Sequence, residues 1–222
     1  MYSEVMASGK KTRIAPDIDL DLLTDTFVEQ LASGTACDSI ASGVTLPSLQ
    51  SPRGQPVRID RCVWRTVVLS DPRANHLRLQ DSRIEASDLA NINLTGSSLE
   101  RVEVTATRLT GATLIEAQLK SVLFQECKLD LALLRMARLQ RCVFEKCNLT
   151  DADFYGADLA GTIFRECDLS RADLSHAKLT GADIRGCRLD GLRATPDSMD
   201  GLIISPDQAP LLITLFGVRV EW

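Results

Sequence analysis

The chain has 222 residues, 45% of them hydrophobic and 25% charged, with a formal net charge of -5. That balance excludes a disordered chain and gives no electrostatic reason for non-specific binding to nucleic acid or anionic lipid. Seven cysteines, none in a CxxC pair, fit neither a secreted disulfide framework nor a zinc ribbon. With no signal-like apolar core near residue 1 and no run of transmembrane length, a cytoplasmic protein that stays out of the membrane is expected.

Taken in chain order, residues 1–56 read as an N-terminal segment with a capping helix and a loop. DIDLDLLTDTFVEQLA at 17–32 puts Leu20, Leu23, Phe27 and Leu31 on one helical stripe, with three Asp residues in its first turn. The stretch 33–56 is rich in Ser, Gly and Pro and reads as a loop that folds the helix back over the start of the next segment.

From 57 to 192 the pattern changes. In CNLTDADFYGADLAGTIFRECDLSRADL, at 147–174, a Leu or Phe returns every five positions. Five is the period of neither a helix nor a strand, so no straight element buries this row. A chain that turns a corner every five residues and winds about a core does bury it. Stepping by five from Leu149 gives a large apolar centre everywhere from Ile59 to Leu189 except at Ala74. Two residues before each centre, from Thr107 to Cys187, stands Thr, Ala, Val or Cys, as a narrow interior requires.

Columns set the number of sides. Phe124, Phe144 and Phe164 recur at a spacing of twenty, as do Cys127, Cys147, Cys167 and Cys187. Four units of five therefore make one coil, and about seven coils rise roughly 32 Å. Pro72, Ala74, Leu77 and Ile92 break the pattern and predict bulged or irregular first coils.

Units such as TDADF, YGADL, SRADL and TGADI resemble the A(D/N)LXX motif of the pentapeptide-repeat family over about residues 57–192. The resemblance implies a right-handed quadrilateral β-helix, an all-β solenoid. Its best-known members bind DNA gyrase or related topoisomerases and imitate the charge and shape of duplex DNA.

Such an open stack needs a cap at each end. Residues 193–222 supply one: SPDQ at 205–208 combines a Ser N-cap, a Pro at the first helical position and a capping-box Gln, so a helix is expected to about Phe216. Gly217 would end it, with a short strand at 218–220. The ending DGLIISPDQAPLLITLFGVRV resembles the C-terminal segment of quinolone-resistance pentapeptide proteins, which implies a homodimer contact. Leu211, Leu212, Leu215 and Phe216 serve a cap or a dimer contact equally well.

No nucleophile elbow, P-loop, dinucleotide fingerprint or zinc-protease motif occurs, so catalytic, cofactor and metal sites are all expected to be absent. His76 and His176 fall five coils, about 24 Å, apart and cannot share a metal. The stacked cysteines read as small apolar fillers, and the aspartates before each centre as solvated or turn-bonding.

Function then lies on the outside. Outward charges over 58–191 balance, leaving a neutral rod, and the side centred on 59, 79 and 99 is net basic. Nucleic acid is not an expected partner. Asp130, Asp151 and Asp168 form a weak acidic stripe, the candidate surface for topoisomerase binding by DNA mimicry. Outward apolar residues are the better clue: Leu123, Val143 and Ile163 stack on one face, and Leu131, Leu133, Met136 and Tyr155 come around the next corners. The expected function is a non-enzymatic interaction or scaffold protein using these residues to hold an unidentified protein partner.

Overall fold

A computed structural model describes residues 13–46, 49, 56–215 and 217–219. Helix α1 spans Phe27–Leu31, and then come strands β1 (Thr35–Cys37), β2 (Ile40–Ser42), β3 (Thr45–Leu46), β4 (Arg58–Asp60), β5 (Val63–Arg65) and β6 (Val68–Leu69). The long β7 (Arg78–Glu85) and β8 (Ser98–Thr105) precede β9 (Gln118–Lys120), β10 (Leu123–Gln125), β11 (Arg138–Gln140), β12 (Val143–Glu145) and β13 (Ile163–Arg165). Helix α2 is Ala209–Thr214. All strand pairs are parallel, and the main ladder runs β1-β4-β7-β8-β10-β12-β13. The molecule is a right-handed quadrilateral β-helix.

Its register is the twenty-residue step read from the columns. Ile59 pairs with Leu79, Leu79 with Leu99, and Phe124 with Phe144, which pairs with Phe164. The four sides are centred on Ile59, Trp64, Leu69 and Ala74 and on their equivalents every twenty residues on. From Arg61 to Gly191 every corner except the one at Asp71 is made by a residue in the left-handed region two places after a centre, such as Asp151 (φ 57°) and Gly156 (φ 67°). The Asp or Asn ahead of many centres ties its corner, because its side-chain oxygen accepts the backbone N–H two residues on: Asp153 from Tyr155, Asp168 from Ser170, Asp173 from Ser175. That bond is the physical content of the repeat's Asp/Asn position.

Packing obeys the columns. The Phe124 and Phe144 rings stack at 4.9 Å and 9°, Phe144 and Phe164 at 4.9 Å and 7°, and Phe154 meets the last two edge-on. Cys127, Cys147, Cys167 and Cys187 are buried. Cys127 and Cys147 each place Sγ 3.3–3.4 Å from two backbone carbonyls, so these thiols are bonded fillers. Burial pushes the Cys142 thiol up to about 12, far from thiolate chemistry.

Two expectations for the N-terminal half are corrected. No continuous helix covers 17–32: a 3-10 turn at Leu20–Leu22 and the short α1 replace it, and Leu20 is 50% exposed. Phe27 and Leu31 do cover the end of the stack, with the Phe27 ring 5.5 Å from Trp64. Nor is 33–46 a loop, because β1, β2 and β3 pair with β4, β5 and β6 at a step of 23 (Thr35 with Arg58, Ile40 with Val63, Thr45 with Val68). Three extra residues shift the phase, and Ala36 and Ala41 are small centres, so stepping by five from Leu149 misses this coil. Around Pro72 the expected irregularity is seen at the corner before it, where Asp71 is not in the left-handed region, while the ladder itself continues. Val68 bridges Asp88, Arg73 bridges Asn93, and Ala74 as a small centre leaves room that Leu77 and Ile92 fill.

At the other end the ladder continues to Ile203, which bridges Asp183. At Ser205 and Gln208 the Gln half of the capping box forms, Gln208 Oε1 accepting the Ser205 backbone N–H at 3.0 Å, and it opens a 3-10 turn that leads into α2. Gln208 closes the stack by donating from Nε2 to the Ile184 and Cys187 carbonyls, both at 2.9 Å.

Candidate binding surfaces on the outer sides

The seven outward apolar residues do not form one surface. Leu123, Val143 and Ile163 stand in register on the second side, in β10, β12 and β13. Leu133 lies on the fourth side, bridging Thr113 and Asp153, and Leu131 and Met136 are the corners that flank it. Second and fourth sides are opposite faces of a quadrilateral coil, with the core between them.

On the second side the column is bounded by Glu103 below and Asp183 above, and all three members are half-buried. On the fourth side Leu131 is 56% exposed and Met136 53%. Their corner positions make this unusual. At every other left-handed corner from Arg61 to Gly191 the residue is Gly, Ala or polar. Met136 lies across the next coil's Gly156, where an added Cβ would fall 2.7 Å from its Sδ. Tyr155 extends the surface, with the Arg135 guanidinium 5.2 Å over its ring and His176 against its edge at 5.1 Å. The sequence reads His176 only as too far from His76 to share a metal and does not single out Arg135, although Arg135 stands twenty residues before Tyr155 and so beneath it.

The acidic stripe is assembled on the third side but is not bare. Arg171 grips Asp151 with two bonds at 2.9 and 2.7 Å, Arg188 sits 3.3 Å from Asp168, and Asp130 accepts from the Thr110 hydroxyl at 2.9 Å. The Arg171 hydrogen bonds hold Asp151 below the usual carboxylate range. Asp168 is also held low, where its bonds from Ser170 and the nearby Arg188 outweigh the opposing effect of burial. Arg108 likewise meets Asp88 at 3.2 Å. A face of alternating, paired charges does not present the continuous negative field of duplex DNA.

On the first side, Arg61 bridges Asp38 and Asp60, and Arg101 bridges Asp81 and Glu100. Arg58, Arg78 and Arg138 have no ion pair among the described residues. At the C-terminal end Leu212 is buried and Leu211 and Leu215 pack on the core, which is the geometry of a cap. Phe216 and Val220 lie outside the described residues, and the short strand expected at 218–220 is not formed at Val218 and Arg219. Ile213 and Val218 are exposed at this end. Among the described residues no group of His, Cys, Asp and Glu is arranged to hold a metal ion, and no helix is long and apolar enough to cross a membrane.

A parallel solenoid of stacked four-sided coils with its apolar centres buried defines a class of repeat protein. Within that class, residues 57–134 match the family described as Pentapeptide repeat region, and residues 127–165 and 152–191 match Pentapeptide repeats. The chain belongs to the pentapeptide-repeat family. Among solved structures, it is similar to QnrB1, a plasmid-mediated fluoroquinolone resistance protein, at 19% identity and a TM-score of 0.43, over 86% of this chain and 92% of that one. It is also similar to HetL from Nostoc sp. strain PCC 7120, a protein involved in heterocyst differentiation regulation, at 18% identity and a TM-score of 0.21, over 76% and 91%. No curated protein matches the chain.

Proposed function

We propose that this protein is a non-enzymatic, cytoplasmic interaction module that holds a protein partner against the fourth side of its β-helix, at Leu131, Leu133, Met136 and Tyr155. The observation that carries the reading is the pair Leu131 and Met136. A large apolar side chain more than half exposed at a left-handed corner gains nothing from its own coil. A partner would bury both, while Arg135 and Tyr155 supply the Arg and aromatic contacts typical of interface anchors. Replacing Leu131 and Met136 together with Asp should abolish partner capture while leaving the fold intact. Capture at wild-type strength by that variant would refute the reading.

The alternative, topoisomerase binding by DNA mimicry through Asp130, Asp151 and Asp168, rests on the family resemblance. The pairing of Asp151 and Asp168 with arginines weighs against it. Gyrase supercoiling titrated with the protein, with and without a quinolone, separates the two: inhibition or drug protection that disappears on charge reversal of Asp151 and Asp168 would favour mimicry.

A further inference from the structure

From Arg58 to Arg138 the first side carries an outward column of hydrogen-bond donors with no carboxylate in it. Arg58 stands in register with Arg78, Arg78 with Ser98, Ser98 with Gln118 and Gln118 with Arg138. Like charges directly opposite on neighbouring strands destabilise a ladder. Elsewhere the rod sets a carboxylate one coil away from an arginine, as Asp38 for Arg61, Glu85 for Arg65 and Asp81 for Arg101. Arg58 and Arg78 have no ion pair among the described residues.

The same column frames a notch. Gly96 and Ser98 are short residues of one coil, with His76 and Arg78 in the coil below and Gln118 in the coil above. The groove between them is about 480 Å³, lined by Pro56, His76, Arg78, Gly96, Ser98 and Gln118, a size within the range of small-ligand sites. His76 leans across Gly96, where an added Cβ would fall 2.7 Å from its Nδ1. Every polar side chain of the lining carries a donor, and none is acidic. On the corner column from His76 to His176 the one carboxylate is Glu116, which does not line the groove.

We propose that this notch binds a phosphate group, free or as the monoester end of a small molecule. Arg78 supplies the charge and a planar pair of N–H donors that matches two phosphate oxygens. Ser98 donates from the floor, Gln118 from the upper wall and His76 from the corner. The walls stand two coils, about 10 Å, apart, which admits one phosphate-sized group hydrogen-bonded on both sides. An anion held there also relieves the repulsion between Arg58 and Arg78.

Amide NMR of the full chain, titrated at fixed ionic strength with inorganic phosphate, glycerol phosphate or acetate, tests this. Both phosphates should move the Gly96, Ser98 and Gln118 amides and saturate below about 10 mM, with acetate at least about tenfold weaker. Tighter binding of the ester would identify an ester ligand, and equal binding free phosphate. Arg78→Gln should lose at least about tenfold in affinity. Arg58→Gln makes the same charge change one coil outside the notch and should lose less than about threefold. Ser98→Leu fills the floor at constant charge and should abolish binding. All three positions face outward, so the remaining amide signals should stay in place. No saturable shift with either phosphate would overturn the inference. So would acetate binding as tightly as phosphate, equal losses in Arg58→Gln and Arg78→Gln, or wild-type binding by Ser98→Leu, since each reduces the site to attraction between net charges. No fourth-side residue takes part, so this proposal and the interaction reading can fail separately.

Discussion

The coils from Thr107 to Gly191 and those from Thr35 to Thr105 are the same architecture built by two methods. In the later coils short sides alternate with tied corners, the small sites are Ala, Cys, Thr and Val, and the interior is filled by the Phe stack. In the earlier coils β7 and β8 run through a corner as continuous eight-residue strands. Leu77 and Ile92 occupy small sites there, and a cavity of about 20 Å³ lies among Trp64, Leu79, Ile84, Leu99 and Val104. The earlier coils also use buried hydroxyls in place of side-chain volume. Ser82 accepts from the Cys62 N–H and donates to the Gln80 carbonyl, and Ser97 accepts from the Leu77 N–H. Regular coils are held by filling, irregular coils by filling plus specific polar bonds, and the two should fail differently when cut.

The largest effect should come from the filled region. Phe144→Ala removes the middle ring of the stack and should cost about 3–5 kcal/mol in urea unfolding, since the two rings above and below cannot collapse into the gap. A cost under about 1 kcal/mol would show that the column is incidental. In the earlier coils Ser82→Ala removes almost no volume but orphans the buried Cys62 N–H, and should cost about 1–3 kcal/mol. A neutral result would remove the distinction between the two regions.

Acid should sharpen the comparison next. Asp81 and Asp38 in the earlier coils, and Asp151, Asp168 and Asp173 in the later ones, all have depressed carboxyl pKa values. A depressed folded-state value means the stability from these groups is present above the ordinary carboxylate range and is lost as pH falls through the folded pKa. Asp60 is raised by burial and opposes this weakly. Thermal midpoints should therefore hold from neutrality to about pH 5 and fall below about pH 4. Asp81→Asn should flatten part of that fall, whereas a profile with no acid limb would contradict the assignment.

The smallest effect on stability belongs to the proposed partner surface. Leu131→Asp with Met136→Asp should stay within about 0.5 kcal/mol of wild type, because both side chains are already exposed. A larger loss would mean that Met136 over Gly156 is a structural contact.

Much of this was legible in the residues. The five-residue period, the Phe and Cys columns and the Gln208 half of the Ser205 capping box each state a local constraint that the fold then satisfies. What was hidden had physical causes. The first coil is shifted in phase by three residues and centred on alanines, so neither its period nor its size marks it. The helix expected over 17–32 has the right apolar spacing, but Thr24 bridges Ser39 and takes the chain into the ladder instead. Periodicity placed Leu123 and Leu133 on their sides correctly, yet which sides are opposite matters only in three dimensions, so two surfaces read as one. The acidic stripe was visible as charges, while the arginines that neutralise it stand twenty residues away.

The most direct test of the interaction reading is a side-by-side capture from the native cell extract, using wild-type protein, the Leu131→Asp, Met136→Asp variant and a variant with Asp151 and Asp168 reversed to Arg. The account predicts one partner that is held by wild type and by the charge-reversed protein and lost by the fourth-side variant. A partner lost on charge reversal and kept by the fourth-side variant would contradict it and return the acidic stripe to first place.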